Sequence, residues 1–163
     1  MSAGATVRAA ALAALRDDPA IVVNRVIDGA QARGTPPYVL LREVIAIDWG
    51  TKDRAGRELR VGVTVRDAGE TPARVEALAG AVEAALLAMP RDLDGWRVAS
   101  LVPVRCAVLA EGEGRWAALI DVRARYVRRH KFGGLSHVAS ATSRSGKRKS
   151  LFMTSELLFL VLR

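Results

Sequence analysis

Apolar and polar positions alternate most regularly in one segment near the middle of the chain. There the apolar set Leu59, Val61, Val63 and Val65 alternates with the set Arg60, Gly62, Thr64 and Arg66. This period of two predicts a strand with one buried face. The preceding run from Tyr38 to Trp49 is apolar at both parities, which is typical of a strand covered on both sides. A charged loop from Gly50 to Gly56 joins the two runs, and it is longer than a tight hairpin turn. We expect a long β-hairpin around which the rest of the chain is organised.

Two other segments repeat their apolar residues at helical spacing. Thr6 to Asp17 is rich in alanine and predicts a first helix, ended by the residues up to Pro19. A second helix is expected after Thr71 as N-cap, with Pro72 at the first helical position. Its predicted core stripe consists of Val75, Leu78, Ala79, Val82, Leu86 and Met89, and Pro90 ends it. Gly80 is expected to let this helix approach the sheet closely.

A second hairpin is predicted near the end of the regular pattern. Its strands are Trp96 to Leu109 and Arg115 to Val127, joined by a glycine-bearing turn. Pro103 predicts an edge position or a bulge, because proline cannot donate to a strand ladder. Ile21 to Ile27 is expected to be only an apolar connector. The predicted fold class is α+β, a mostly antiparallel four-stranded sheet of two hairpins with two helices packed on one face, in the order α-β-β-α-β-β.

The net charge of +8 is distributed very unevenly along the 163 residues. Residues 1–125 hold 17 basic and 16 acidic residues, whereas residues 126–163 hold 8 basic and 1 acidic. The body is therefore electrostatically ordinary and the excess lies in the tail. We expect an α+β domain at residues 1–127 and a basic, poorly ordered extension at residues 128–163.

Candidate catalytic chemistry is sparse. The histidines, His130 and His137, lie in the basic tail without a cysteine or carboxylate at metal-ligand spacing, and the carboxylates are scattered singly. The single cysteine, Cys106, is expected to be a small buried thiol. Ser145 to Lys147 lacks the first glycine and the final hydroxyl of a phosphate-binding loop. We therefore expect no enzyme, no metal and no cofactor.

Targeting and membrane signals are also weak. The amino terminus lacks a secretory pattern, so no export is expected. The apolar run at residues 151–163 is shorter than the roughly 20 residues of a membrane span, so no membrane association is expected either.

Several short motifs, in a particular order, resemble a known family. They are the amino-terminal ALAALRDDPAI helix, a Val-Asn-Arg-Val connector, Pro-Tyr-Val at 37–39, the turn Asp48-Trp49-Gly50-Thr51-Lys52 with Gly56-Arg57-Glu58, and an alanine-rich helix before a closing hairpin. Over about residues 3–127 the chain is similar to the phage tail-completion or tail-terminator proteins found in prophages and gene transfer agents. Members of that family usually stop near Tyr126, so the tail receives no support from the resemblance.

The resemblance implies a structural virion-assembly protein. It implies a ring, commonly of six copies, at the head-proximal end of the tail, with the tail-tube protein and the head–tail connector protein as partners. Assembly would take place in the bacterial cytoplasm, before the protein becomes part of a particle tail. The charged hairpin turn is the candidate assembly interface, and its residues are Asp48, Trp49, Lys52, Arg54, Arg57 and Glu58. The alternative is that these charges form a solvated turn above Trp49 as a core plug.

The basic tail also supports a function from a different class. Its lysines and arginines could contact phosphates, which would make the chain a small nucleic-acid-binding module. Against this alternative, the body shows no basic face in its sequence, and the tail lacks repeated aromatic residues between its basic positions for base stacking.

Overall fold

The computed structural model describes residues 2–29 and 33–129. The helices are α1 (Ala3–Asp17) and α2 (Ala73–Leu87). The strands are β1 (Arg25–Asp28), β2 (Tyr38–Asp48), β3 (Gly56–Ala68), β4 (Asp92–Leu93), β5 (Trp96–Gly112) and β6 (Arg115–Arg128). The two long hairpins β2–β3 and β5–β6 are therefore confirmed. The predicted basic extension lies almost entirely outside the described residues, and the proposed division of the chain stays a prediction.

All six strands join one mixed sheet in the order β1-β2-β3-β6-β5-β4, curled into a half-barrel. β1 runs parallel to β2, and every other neighbouring pair is antiparallel. The predicted four-stranded, mostly antiparallel sheet is therefore wrong, and so is the predicted element order. The missed strands are four and two residues long, too short to show a period of two in the sequence.

Both helices pack against one face of this sheet. α1 presents Val7, Ala11 and Leu15, which are spaced four residues apart and fully buried. The whole predicted stripe of α2 is buried, and so are the predicted core positions of β3. β6 supplies Ile120, Val122 and Ala124 to the same layer. The predicted core of the two helices and the central strands is confirmed, and no described helix covers the opposite face.

Two details at α2 differ from the sequence-based expectation. Pro72, and not Thr71, occupies the N-cap position, and no side chain caps the helix there. Gly80 lies on the exposed side of α2, with no atom within 4 Å of the place where a Cβ would stand. It therefore does not mediate the close approach to the sheet that its position suggested.

β5 is the least regular strand. Its register against β6 shifts between Pro103 and Arg105, which confirms the predicted irregularity at the proline. A second shift lies between Val98 and Ser100. Each shift moves the following side chains to the other face, and the two shifts cancel, so Cys106 pairs with the buried Ile120 and lies on the same face as Val98. Cys106 is nevertheless exposed, so the expectation of a buried thiol is wrong. Partial desolvation, and secondarily the charge of Glu83, raise the pKa of that thiol.

Candidate assembly interface

The β2–β3 hairpin ends in a compact, fully exposed tip. Thr51 and Arg54 exchange backbone hydrogen bonds of 2.8 and 3.3 Å, leaving Lys52 and Asp53 as the two residues at the turn. The loop that looked long in sequence is thus closed by its own bridge. Gly56 is required at its base, because a Cβ there would stand 2.7 Å from the carbonyl oxygen of Trp49. The backbone bridge and the close approach at Gly56 close the tip, which carries its charges in the open.

Four of the six predicted interface residues come together at the base of the hairpin. Asp48 forms an ion pair with Arg57 across the two strands. Glu58 accepts a 2.7 Å hydrogen bond from Nε of Arg125 on β6. The guanidinium of Arg125 in turn lies 5.0 Å from the ring centroid of Trp49. Trp49 is therefore a half-exposed cap on an arginine and not a core plug.

The remaining two predicted residues stand apart from this group. Lys52 and Arg54 lie at the exposed tip and make no ion pair with any residue between 2 and 29 or between 33 and 129. Arg125 is the member of the site that sequence analysis missed. Its role depends on a pairing of β3 with β6 across 67 residues, for which the sequence carries no local signal.

An exposed apolar row leads from the sheet to this hairpin tip. Ile45, Ile47 and Trp49 are 53%, 55% and 38% exposed. Ile45 and Ile47 face away from the helices, because the intervening Ala46 pairs with the buried Leu59. Neighbouring apolar groups of this size at one end of a sheet are typical of a surface that meets another protein.

A chain of ion pairs crosses the face of the sheet opposite the helices. Arg42 on β2 reaches over β3 to donate a 2.7 Å hydrogen bond to Asp121 on β6. Asp121 also pairs with Arg105 on β5 at 2.8 Å, and Glu43 lies 3.5 Å from Arg42 at the other end. Gly62 makes the crossing possible, because a Cβ on that residue would stand 2.8 Å from Nη2 of Arg42.

Arginines from four strands lie on the same face of the sheet. The sequence did not indicate that these arginines come together. Four of them pair with carboxylates: Arg42 and Arg105 with Asp121, Arg66 with Glu111, and Arg125 with Glu58. Arg60 and Arg123 stand directly opposite each other without a carboxylate partner in the described part of the chain. Most of this positive charge is thus neutralised internally, which makes the face a poor phosphate-binding surface.

The described residues contain no group of three or more side chains suited to holding a metal ion. They also contain no helix that is both long and apolar enough to cross a membrane. His130 and His137 lie outside the described residues. The notable chemistry of the described surface is thus charge, exposed apolar groups and open strand edges.

A family model and a solved structure both relate this chain to proteins of phage-like particles. The model of the family described as "Tail completion protein gp17" matches residues 8–127. Among solved structures, a chain from "Virion of native gene transfer agent (GTA) particle" is similar, with 26% sequence identity and a TM-score of 0.65. The match covers 78% of this chain and 99% of that one. A search of curated proteins gives no match.

Proposed function

The chain belongs to the tail completion protein gp17 family, and from this premise we propose that it is a tail terminator, one of six copies in a ring at the head-proximal end of a phage-like tail. The family and the gene transfer agent likeness make it a structural protein of a phage tail or phage-like particle. The observation that supports the terminator ring is the extent of the structural match. This chain matches 99% of a chain from the gene transfer agent virion. The likeness therefore covers a whole virion protein chain and not a fragment.

The hairpin from Ile45 to Glu58 is the proposed contact with a neighbour. Its tip carries Lys52 and Arg54, which have no ion-pair partner within the described residues, and its stem carries the exposed apolar row that ends at Trp49. The ion pair of Asp48 and Arg57 is largely exposed and adds roughly 0–1 kcal/mol to stability at most. The stability of the fold therefore does not explain why the tip is charged. Recognition of a charged partner explains it.

Glu58 takes a different role within this proposal. Its side chain is mostly buried and paired with Arg125, so it holds β3 to β6 and is not free to meet a partner. The contact surface thus consists of Asp48, Trp49, Lys52, Arg54 and Arg57, supported from below by Glu58 and Arg125. The proposed partners are a second copy of the chain, the tail-tube protein and the head–tail connector protein.

A capping experiment tests the proposed position in the particle. Purified tail-tube protein is allowed to polymerise with and without the full chain, and tube lengths are measured by negative-stain electron microscopy. We expect the chain to shorten the tubes and to be found at one end of each. Tubes of unchanged length that carry the chain along their sides, or not at all, would contradict the proposal.

A further inference from the structure

Two strand segments have no partner along their outer edge among residues 2–29 and 33–129. β1 pairs only with Tyr38–Leu41, so no described strand flanks β2 from Glu43 to Asp48. β4 pairs only with Trp96 and Arg97, and the backbone of Val98 is bonded to Arg91, so no described strand flanks β5 beyond that point. An open edge presents rows of backbone donors and acceptors that can pair with another strand.

The exposed apolar residues are concentrated at these two edges. Six large hydrophobic side chains of the described residues are exposed. Five of them lie on the open parts of β2 and β5 or directly after β2: Ile45, Ile47, Trp49, Val104 and Leu109. Apolar groups scattered over a surface need no partner, but apolar groups confined to two unpaired edges indicate that both edges are covered in the assembly.

The directions of the strands allow these two edges to meet. β2 and β6 run one way, and β3 and β5 run the other. If a second copy is related by rotation about an axis parallel to the strands, its β5 lies antiparallel to β2 of the first copy. The two edges differ, so the contact is heterologous and forms a ring when the rotation closes.

The heights of the two open segments also agree. Ala46 of β2 lies level with Leu59 of β3, Ala124 of β6 and Leu101 of β5. Two residues along, Val44 of β2 lies level with Val61 of β3, Val122 of β6 and Pro103 of β5. The open part of β2 therefore lies level with Ser100–Arg105 of β5. Pro103 and the register shift after it lie within this stretch and interrupt its ladder, which keeps the pairing short and limits uncontrolled aggregation.

The ion-pair chain on the face opposite the helices ends in opposite charges at these edges. Its order is Glu43, Arg42, Asp121 and Arg105, from the β2 edge to the β5 edge. The side chain of Glu43 is 45% exposed and that of Arg105 is 51% exposed. When two copies meet edge to edge, Arg105 of one faces Glu43 of the next. The alternation of charge then continues from copy to copy.

We propose that Glu43–Asp48 of β2 pairs antiparallel with Ser100–Arg105 of β5 in a second copy of this chain, with Glu43 and Arg105 forming an ion pair across the junction. This inference rests on the proposed ring and specifies which surfaces build it. The hairpin tip then extends past the junction, where it remains available to the next component of the tail.

Disulfide cross-linking tests the pairing in the full chain. Glu43→Cys and Arg105→Cys are combined with Cys106→Ser, and the protein is oxidised and run on a non-reducing gel. Within one copy the two positions are separated by β3 and β6, roughly 14 Å at the usual strand spacing and too far for a disulfide. We expect a ladder of covalent oligomers up to six copies. Glu76→Cys on the exposed side of α2, combined with Arg105→Cys and Cys106→Ser, is the matched control and should give no ladder.

Charge reversal provides a second test. Glu43→Arg and Arg105→Glu should each reduce self-association at least tenfold, and the double swap should restore most of it. Repulsion within each copy, against Arg42 or Asp121, persists in the double swap, so only a contact between copies explains the recovery. Circular dichroism confirms that each variant is folded.

The outcomes separate this inference from the proposed function. A ring of normal mass without the ladder would overturn the edge pairing and leave the terminator proposal standing. A ladder that continues beyond six copies into an open filament would support the pairing and contradict the closed ring. A chain that stays monomeric in both experiments would contradict both.

Discussion

Gly62 shows at the scale of a single residue how this surface depends on the absence of a side chain. Arg42 crosses β3 at Gly62 to reach Asp121, and its guanidinium occupies the space of a Cβ. Both side chains of the pair are about one-fifth exposed. An ion pair shielded to this extent should contribute about 1 kcal/mol. The space above Gly62 is therefore part of the interaction.

Gly62→Val should uncouple that ion pair without unfolding the strand. Valine suits a strand, and the atoms it displaces are the mobile ends of Arg42 and Glu43. A double-mutant cycle with Arg42→Ala and Asp121→Ala should give a coupling free energy of about 1 kcal/mol in the natural chain. The same cycle should give a value near zero in the Gly62→Val background. An unchanged coupling would show that Arg42 reaches Asp121 by another route.

The errors of sequence analysis also begin at single residues. The alternation of β3 predicted its buried face correctly because no bulge interrupts it. The same reasoning failed for Cys106, which pairs with the buried Ile120 as alternation requires but has an exposed side chain. Alternation indicates which face a side chain takes and not whether another element covers it there. Arg125 was missed because a contact between strands distant in sequence has no local pattern.

At the scale of the elements, Asp67 fastens the end of β3 to the start of α2. Its buried carboxylate accepts a 2.7 Å hydrogen bond from Nε of Arg74 and a 2.8 Å bond from the backbone of Ala68. The hydrogen bonds from Arg74 are the main cause that lowers the pKa of Asp67, opposed by desolvation. No side chain caps α2 at its N-cap residue Pro72, and Arg74 also donates a 3.0 Å hydrogen bond to the carbonyl oxygen of Ala68, so Arg74 links the start of α2 to the end of β3.

Asp67→Asn should therefore destabilise the fold by roughly 1.5–3 kcal/mol at neutral pH. Because the pKa is lowered in the folded state, the stabilisation is complete above the unfolded pKa of about 3.9 and is lost as the pH falls through the folded value. The difference between the two proteins in urea denaturation should shrink steadily below about pH 4. Asp53→Asn at the exposed hairpin tip is the control and should change stability by less than about 0.5 kcal/mol. A difference that persists at low pH would mean that the carboxylate charge is not the cause.

The hairpin tip is the element most directly linked to the proposed assembly. Lys52→Glu with Arg54→Glu should change the free energy of unfolding by less than roughly 1 kcal/mol, because neither side chain has a described ion-pair partner. Assembly of the ring or attachment to the tail tube should be strongly impaired, since like charges facing each other across an interface cost several kcal/mol. Equilibrium denaturation and a tube-binding assay measure the two effects.

A matched control separates this effect from the change in net charge. Arg33→Glu with Arg115→Glu alters the charge equally, at exposed positions removed from the hairpin tip. It should leave binding unchanged. If both double variants bind equally well, the tip is only a solvated turn. If the tip variant unfolds, these charges maintain the hairpin itself.

The fold was predictable from the sequence only as far as long, uninterrupted patterns extend. Both helices and the four long strands could be recognised, because each carries a helical period, a strand alternation or an apolar run over ten residues or more. β1 and β4 could not, because strands of four and two residues are defined by their partners and not by their own pattern. These short strands determine where the sheet edges are open, so the edge surfaces could not be found from sequence either.

At the scale of the whole molecule, the described residues leave two different sheet edges unpaired and one sheet face without a helix, and they present a charged hairpin. These are features of a protein that is completed by its neighbours. The charge of the described body is mostly neutralised in internal ion pairs. The excess positive charge lies in residues 126–163, mostly outside the described residues. The nucleic-acid-binding alternative depends on that segment alone and stays a prediction, as does the proposed basic extension.

Native mass spectrometry of the full chain tests the central claim most directly. A closed ring of six chains of 17.5 kDa has a mass of about 105 kDa, and its mass does not grow when the protein concentration is raised. We expect this species at tens of micromolar, alone or after addition of tail-tube protein, and without nucleic acid. A strictly monomeric chain under both conditions would contradict the account, and so would an oligomer that forms only when DNA is present.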